Sequence, residues 1–356
     1  APTVLYTFPA AAVGTSIHGT LNNDPGQATR DNAAFDNVGK TSLGDIDISD
    51  DEKKLYAISL ADRKLNIIDL TKPTITSGDV TSFSIPAPVF TPAPDGGITW
   101  RPFALKYYRG KVYVGVTVTN EGSYTNNNID NKGNSTGMRG IVYEFDGTNF
   151  TQVLEFPLNY KRQPNGADQT PETNVARGHY WRPWTSIYRT DRGSLTGGGI
   201  VTYAQPWLTD IEFDVNGEMI LGIRDRWGDQ MGYQNYRPEA PIGPGGTTSG
   251  NQQDQNDTRL WSAIAPGEVL RAGKVSLTNN AWAIENRGAV THLGVTTARS
   301  DDQKKQFGPG GAGGTTYSTS PSTVGVTSAD YFNRIVSGNV EGKYYWGDVV
   351  GVSYNH

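Results

Sequence analysis

Three aspartates stand in matched settings along this chain: Gly44-Asp45-Ile46, Thr209-Asp210-Ile211 and Gly347-Asp348-Val349. If the apolar stretch after each is the innermost strand of a repeated sheet, Asp45, Asp210 and Asp348 face one channel mouth. Converging carboxylates repel one another unless a cation sits between them, and ligation by oxygen alone would favour Ca²⁺ or Mg²⁺. The alternative is that each carboxylate accepts hydrogen bonds from backbone amides at the turn entering its sheet. The aligned copy between the first two carries Pro102 at this place, which weakens a ring of ligands.

Two further clusters could bind a ligand. In Arg224-Asp225-Arg226-Trp227-Gly228-Asp229, two guanidinium groups, two carboxylates and an indole follow a predicted strand, and Ala61-Asp62-Arg63 echoes the pattern. Planar donors beside an aromatic face suit a carbohydrate or a carboxylate. The competing reading is a salt-bridge network that pins one sheet to the next. Trp181-Arg182-Pro183-Trp184, preceded by His179 and Tyr180, is a dense aromatic group inside a long polar stretch. Exposed, Trp181 and Trp184 would stack on a sugar ring or a peptide; buried, they are the local core of their loop.

Other motifs fail on their chemistry. Asn126 to Asn134 imitates a Ca²⁺ loop, but Lys132 takes a ligand position and no bidentate Glu follows at the needed distance. Val38-Gly39-Lys40-Thr41 imitates the tail of a phosphate-binding loop; the earlier glycine is replaced by Ala34, and a strand rather than a helix comes next. The Gly-Pro-Gly-Gly runs at 243–246 and 308–311 read as turns. No Gly-x-Ser-x-Gly elbow or His-Glu-x-x-His helix occurs, and His18, His179, His292 and His356 lack ligand spacing, so no catalytic residue is assigned.

The elements that must position these groups come from a three-fold repeat. Asp45 to Leu60, Pro102 to Thr117 and Asp210 to Asp225 align without gaps, and each reads as a short alternating strand, a polar turn and a second strand centred on Leu55, Val112 or Ile220. Further strands are predicted at Lys64 to Leu70, Ile141 to Phe145, Phe150 to Phe156, Glu268 to Ala272 and Trp282 to Glu285. Four-stranded antiparallel meanders are the unit of a β-propeller, whose blades pack face to face. The fold predicted is therefore all-β and β-propeller-like, a single domain over residues 1–356 with long loop insertions. Val4 to Pro9 reads as a lone strand and Tyr344 to Tyr354 as the start of another unit, so the ring need not close within this stretch.

The loops at residues 19–41, 119–139, 161–205, 227–266 and 298–333 are rich in Asn, Gly, Pro, Gln, Ser and Thr. Such composition buries little apolar surface, so each loop must be held by the scaffold or a ligand, or move. Composition agrees: 43 glycines and 20 prolines against 36% hydrophobic residues suit many short strands and turns. A net charge of −5 supplies no basic field for nucleic acid, and no apolar run is long enough to span a bilayer. Absence of cysteine excludes disulfides and thiolate metal sites. The start at Ala1-Pro2-Thr3 rather than Met is what a processed chain or a fragment would show.

Leu43-Gly44-Asp45-Ile46-Asp47-Ile48-Ser49, Arg101-Pro102-Phe103-Ala104-Leu105-Lys106, Phe156-Pro157-Leu158-Asn159-Tyr160 and Gln205 to Asp214 together resemble a known family. It is the propeller-like ectodomain of large bacterial cell-surface, adhesin-type proteins that often carry SdrD B-like repeats. Ile223 to Arg226, Gly267 to Ala272 and Phe307 to Gly311 extend the resemblance over most of the chain. It implies export, surface attachment and adhesion or interaction, and offers no catalytic residues to transfer. The function expected is a non-enzymatic extracellular module that binds a glycan, a protein or another copy of itself. Two alternatives are a structural subunit of a surface layer or filament completed by strand exchange, and a metal-dependent hydrolase or lyase using Asp45 and Asp210.

Overall fold

The architecture is that of a computed structural model. It describes residues 4–298 apart from 16–17, 19–30, 91–98, 124–132, 160–180, 190–198, 202, 233–234, 237, 239–259, 264, 266, 277, 279 and 286–288. Asp348, Tyr344 to Tyr354, His179, Tyr180, most of the Asn126 to Asn134 loop and both Gly-Pro-Gly-Gly runs lie outside the described residues.

Three four-stranded antiparallel sheets follow one another along the chain. The first contains β1 (Leu43–Ile48), β2 (Lys54–Ser59), β3 (Lys64–Asp69) and β4 (Val80–Ser84). The second contains β5 (Trp100–Tyr108), β6 (Lys111–Val118), β7 (Arg139–Phe145) and β8 (Phe150–Pro157). After a short strand β9 (Gly199–Val201) come β10 (Pro206–Phe213), β11 (Met219–Asp225), helix α1 (Arg226–Met231), β12 (Trp261–Ala263), β13 (Glu268–Lys274) and β14 (Trp282–Ile284). The third sheet has the order β10-β11-β13-β14, while β9 and β12 pair with each other in parallel. A hairpin of β15 (Ala289–His292) and β16 (Val295–Ala298) completes the described chain.

Burial explains the sequence of the middle sheet. On β6, Val112, Val114 and Val116 join Tyr56, Ile58 and Leu65 of the first sheet in one core; Tyr113 of β6 and Val142 of β7 join Leu208, Ile211, Leu221 and Leu270 of the third sheet in another. Successive strand residues point to opposite faces, so a strand covered on both sides must be apolar at nearly every position. Gly115 marks a close approach between the second and third sheets: a Cβ there would lie 2.7 Å from the Ala104 Cβ and 2.9 Å from Leu208.

The first strands of the three sheets lie side by side and run in one direction. Leu105 and Tyr107 of β5 donate their amides to Asp45 and Asp47 of β1 in ascending order. Phe103 meets Trp207, and Tyr108 stacks on Phe213 at 4.0 Å, likewise in ascending order along β5 and β10. Each first strand also carries an irregularity in its ladder, between Leu43 and Ile46, Pro102 and Leu105, and Leu208 and Asp210. Such bulges add local twist, which lets neighbouring sheets splay from a common line.

The repeat is equivalent in role but not in turn geometry. Its gapless alignment predicts one hairpin register, whereas the turns differ. In the first sheet the Ser49 amide reaches the Lys54 carbonyl; in the third the Asp214 amide reaches Glu218, one residue tighter; in the second, Tyr108 pairs directly with Lys111. Arg109 and Gly110, with φ of 50° and 81°, close that last hairpin as a two-residue turn whose twist matches its strands. Val4 to Pro9 forms no strand; it leads into a four-residue helical turn, Ala10–Val13. The fourth strand of the first sheet, β4, has no counterpart in the sequence prediction.

Because the first strands are parallel, connections sort onto two ends. One end carries the turns at 49–53, 109–110, 146–149 and 214–218. The loops at residues 19–41, 119–139, 161–205 and 227–266 all leave from the other, where first strands begin and second strands finish.

Candidate functional site

The loop-bearing end is stitched from within. Arg226, fully buried, donates to the carbonyls of Val38 (2.8 Å), Asp36 (2.9 Å) and Thr185 (3.0 Å) and to Gln205 Oε1 (2.8 Å). Its guanidinium also lies 4.4 Å over the Trp184 ring. Asp225 ends β11 and caps α1, accepting the amides of Trp227 and Gln205. Gln230, one helical turn on from Arg226, donates to the carbonyls of Phe35 and Thr185. Parts of three loops are thereby fixed around one side chain, because only a guanidinium spreads five donors across so many acceptors.

Apolar packing follows the same plan. Phe35, Tyr188, Tyr203, Trp227, Met231 and Trp261 form a core of their own, drawn from those loops and the short strand β12 rather than from the four-stranded sheets. Trp227 is its centre, with Phe35, Tyr188 and Tyr203 rings at 6.0, 5.5 and 5.8 Å. Trp181 and Trp184 are also fully buried; Trp184 donates its indole N–H to the Pro206 carbonyl and meets Trp207 edge-on. With no exposed ring face, Trp181, Trp184 and Trp227 take the loop-core role, and a sugar would have to displace protein to stack on them. Arg224, at the rim, forms a two-point pair with Asp229 at 2.8 and 2.6 Å. The Arg224–Asp229 pair is local, joining the end of β11 to the helix that follows it, so it does not pin one sheet to the next, while Arg226 binds mainly carbonyls. Arg63, the echo, lies 4.8 Å over Trp100.

A second buried ion group ties the first two loops to the second sheet. Glu121 receives Lys40 at 2.9 Å and Arg101 at 3.1 Å, and Lys40 also reaches Asp36 at 2.6 Å. Burial alone would raise the Glu121 carboxyl, but these two cations outweigh it and hold it down at about 2. Lys40, the false phosphate-loop lysine, is therefore engaged by carboxylates. Gly39, at φ 72°, lets the chain pass against Trp184 and Trp207, where a Cβ would come within 2.8 Å of a ring atom.

Between the sheets lies a rung of carboxylates. Asp45 Oδ2 accepts the Leu105 amide at 3.0 Å and Oδ1 its neighbour Ile46; Asp47 repeats this with Tyr107 at 2.7 Å and Ile48. Spacing accounts for the match: alternate residues of β1 present side chains to alternate amides of β5, whose other edge is occupied by β6. Lys106 stands among them, 2.7 Å from Glu212 and 3.7 Å from Asp47. Burial, then repulsion by Asp210 and Asp47, outweighs the two amide bonds and pushes the Asp45 carboxyl up to about 7. Asp210 is raised as well, by burial and then by Glu212, against the pull of Lys106. Asp45 and Asp210 lie close enough to interact, but Asp45 accepts the Leu105 amide of the neighbouring sheet and that of Ile46 in its own strand rather than amides of a turn entering its sheet, and the cation beside these carboxylates is Lys106. Among the described residues no group of three or more His, Cys, Asp or Glu is set to hold a metal ion. Asp47, Lys106 and Glu212 belong to this site although no sequence motif marks them.

The chain is thus a mainly β protein built on stacked four-stranded antiparallel sheets, with no described helix long and apolar enough to cross a membrane. No family model matches it. It is similar to three Dictyostelium discoideum proteins, each over 54% of this chain: colossin-A at 30% identity, colossin-D at 28% and colossin-C at 24%. The aligned part spans 2% of colossin-A and 16% of each of the others, a small fraction of their length. None of the three is a bacterial protein. Among solved structures, an endo-1,4-beta-xylanase from Bacteroides thetaiotaomicron VPI-5482 shares 13% identity, covering 51% of this chain and 53% of its own, at a TM-score of 0.24. A likeness that weak carries no argument.

Proposed function

We propose that this chain is a non-enzymatic, extracellular interaction module in which a β-propeller-like stack of sheets displays a binding surface made of long loops. The observation that carries this reading is the sorting of connections: among the described residues, the ends of the insertions at 19–41, 119–139, 161–205 and 227–266 lie at one end of the sheets, where Arg226, Glu121 and an aromatic core hold them. A rigid frame with variable polar loops at one end is the common arrangement for recognition. Its ligand is a polysaccharide or protein surface met by the polar loops, since Trp181, Trp184 and Trp227 are enclosed. The test replaces residues 240–256 by a short Gly-Ser linker and compares binding to immobilised polysaccharides and extracellular-matrix proteins. Loss of binding with unchanged melting supports the reading; full retention in this and the matching 124–132 replacement would exclude it.

A second reading, a subunit joined to further copies, is favoured by the open face of β1. Asp45 and Asp47 point to the second sheet, so Ile46 and Ile48 point away, and they are 56% and 42% exposed. Sedimentation over a wide concentration range separates the two: a monomer throughout removes the subunit reading, and Ile46→Glu abolishing an oligomer supports it.

A further inference from the structure

We infer that the carboxylate rung is a proton-governed joint, in which uptake of a proton fastens the first sheet to the second and its loss loosens the contact at the loop-bearing end. This rests on the stacked sheets and not on what the loops bind.

β1 and β5 share no backbone ladder; their hydrogen-bonded link is the pair of amides that Leu105 and Tyr107 donate to Asp45 and Asp47. Every element packed here adds charge or a titratable group. β1 brings Asp45 and Asp47, β2 brings Tyr56 stacked on Tyr107, β5 brings Lys106, and β10 brings Asp210 and Glu212. With all carboxyls ionised, four negative charges face the single ammonium of Lys106 among the described residues. That ammonium is already drawn to Glu212, so Asp45 is the carboxylate left least compensated. A neutral Asp45 keeps its carbonyl oxygen for the Leu105 amide while shedding the repulsion from Asp47 and Asp210.

Burial and these neighbours put the Asp45 proton in the neutral range, at about 7. Its ordinary value lies near 4. The sign follows: between those values the folded joint holds a proton that an open one would release. Closure is therefore favoured in acid and weakens as pH rises through about 7.

The experiment is hydrogen–deuterium exchange of the intact chain at pH 6 and pH 8.5, in EDTA, corrected for intrinsic exchange. The β5 peptide is expected to lose protection on going to pH 8.5, with a limit of about tenfold per pH unit, while the β13 peptide holds. Asp45→Asn, which accepts the same amide and cannot ionise, should keep β5 protection flat. Lys106→Gln should move the transition to higher pH. Equal β5 protection at both pH values, equal loosening of β13, or a wild-type pH response in Asp45→Asn would overturn the proposal. Should Asp45→Asn not fold, an unmoved midpoint in Lys106→Gln overturns it alone.

Discussion

Replacing Arg226 by Met separates a structural hub from a ligand-binding arginine. The guanidinium makes four contacts of 2.8–3.0 Å to three carbonyls and Gln205, and its removal strands those acceptors in a dry setting. A buried acceptor left unsatisfied costs about 1–3 kcal/mol, so the ceiling is roughly 4–12 kcal/mol. Relief from burying a cation and entry of water offset part of this, leaving about 3–5 kcal/mol. Urea unfolding followed by near-ultraviolet circular dichroism reads that loss as a lower midpoint. Arg226→Lys should recover only a fraction, because a compact ammonium cannot span the acceptors that a planar fork reaches. Arg224→Met, at the partly exposed Asp229 pair, should cost about 1 kcal/mol or less. A folded Arg226→Met chain within about 1 kcal/mol of the parent that has lost ligand binding would refute the hub and make Arg226 a recognition residue.

Other outcomes follow from single sites. Gly115→Ala should destabilise by about 1–3 kcal/mol in a thermal melt, since its methyl would press on Ala104 and Leu208 between two packed sheets; an unchanged melt would show those sheets to be further apart. Glu121, held at about 2, contributes stability that is complete above its ordinary range near 4.5 and is lost as pH falls toward 2. Glu121→Gln should flatten the acid limb of a stability–pH curve across that window, and an unaltered limb would contradict the Lys40–Glu121–Arg101 group. Trp184→Ala should cost about 3–5 kcal/mol, as expected of a fully buried indole; a folded variant of parental stability that loses polysaccharide binding would make it a sugar platform.

How much of this was legible in the sequence depends on whether its cause is local. Alternation at Ile46/Ile48 and the apolar runs of β6 and β7 are local signals, and the strands built on them occur where expected. Turn lengths are not local in this sense: three segments that align without gaps close through different turns, since strand twist and bulges absorb one or two residues. Val4 to Pro9 alternates like a strand, but alternation supplies no partner for its backbone. Convergence of Asp45 and Asp210 follows from the repeat, whereas Lys106 and Glu212 enter only because β5 and β10 lie side by side. The composition of the long loops argues against self-burial, yet Phe35, Tyr188, Tyr203 and Trp227, too sparse in any one loop, make a core when loops are pooled. Burial of Trp184, against exposure at a binding rim, likewise depends on contacts with Thr119 and Pro206 that no window around residue 184 contains.

Zero-length carbodiimide cross-linking read by mass spectrometry tests the stacked first strands most directly, because one lysine bridges all three. Lys106 on β5 stands 3.7 Å from Asp47 on β1 and 2.7 Å from Glu212 on β10. Isopeptide bonds from Lys106 to both residues are the predicted result. Recovery of the Lys40–Asp36 link with Lys106 joined to neither β1 nor β10 would contradict the account.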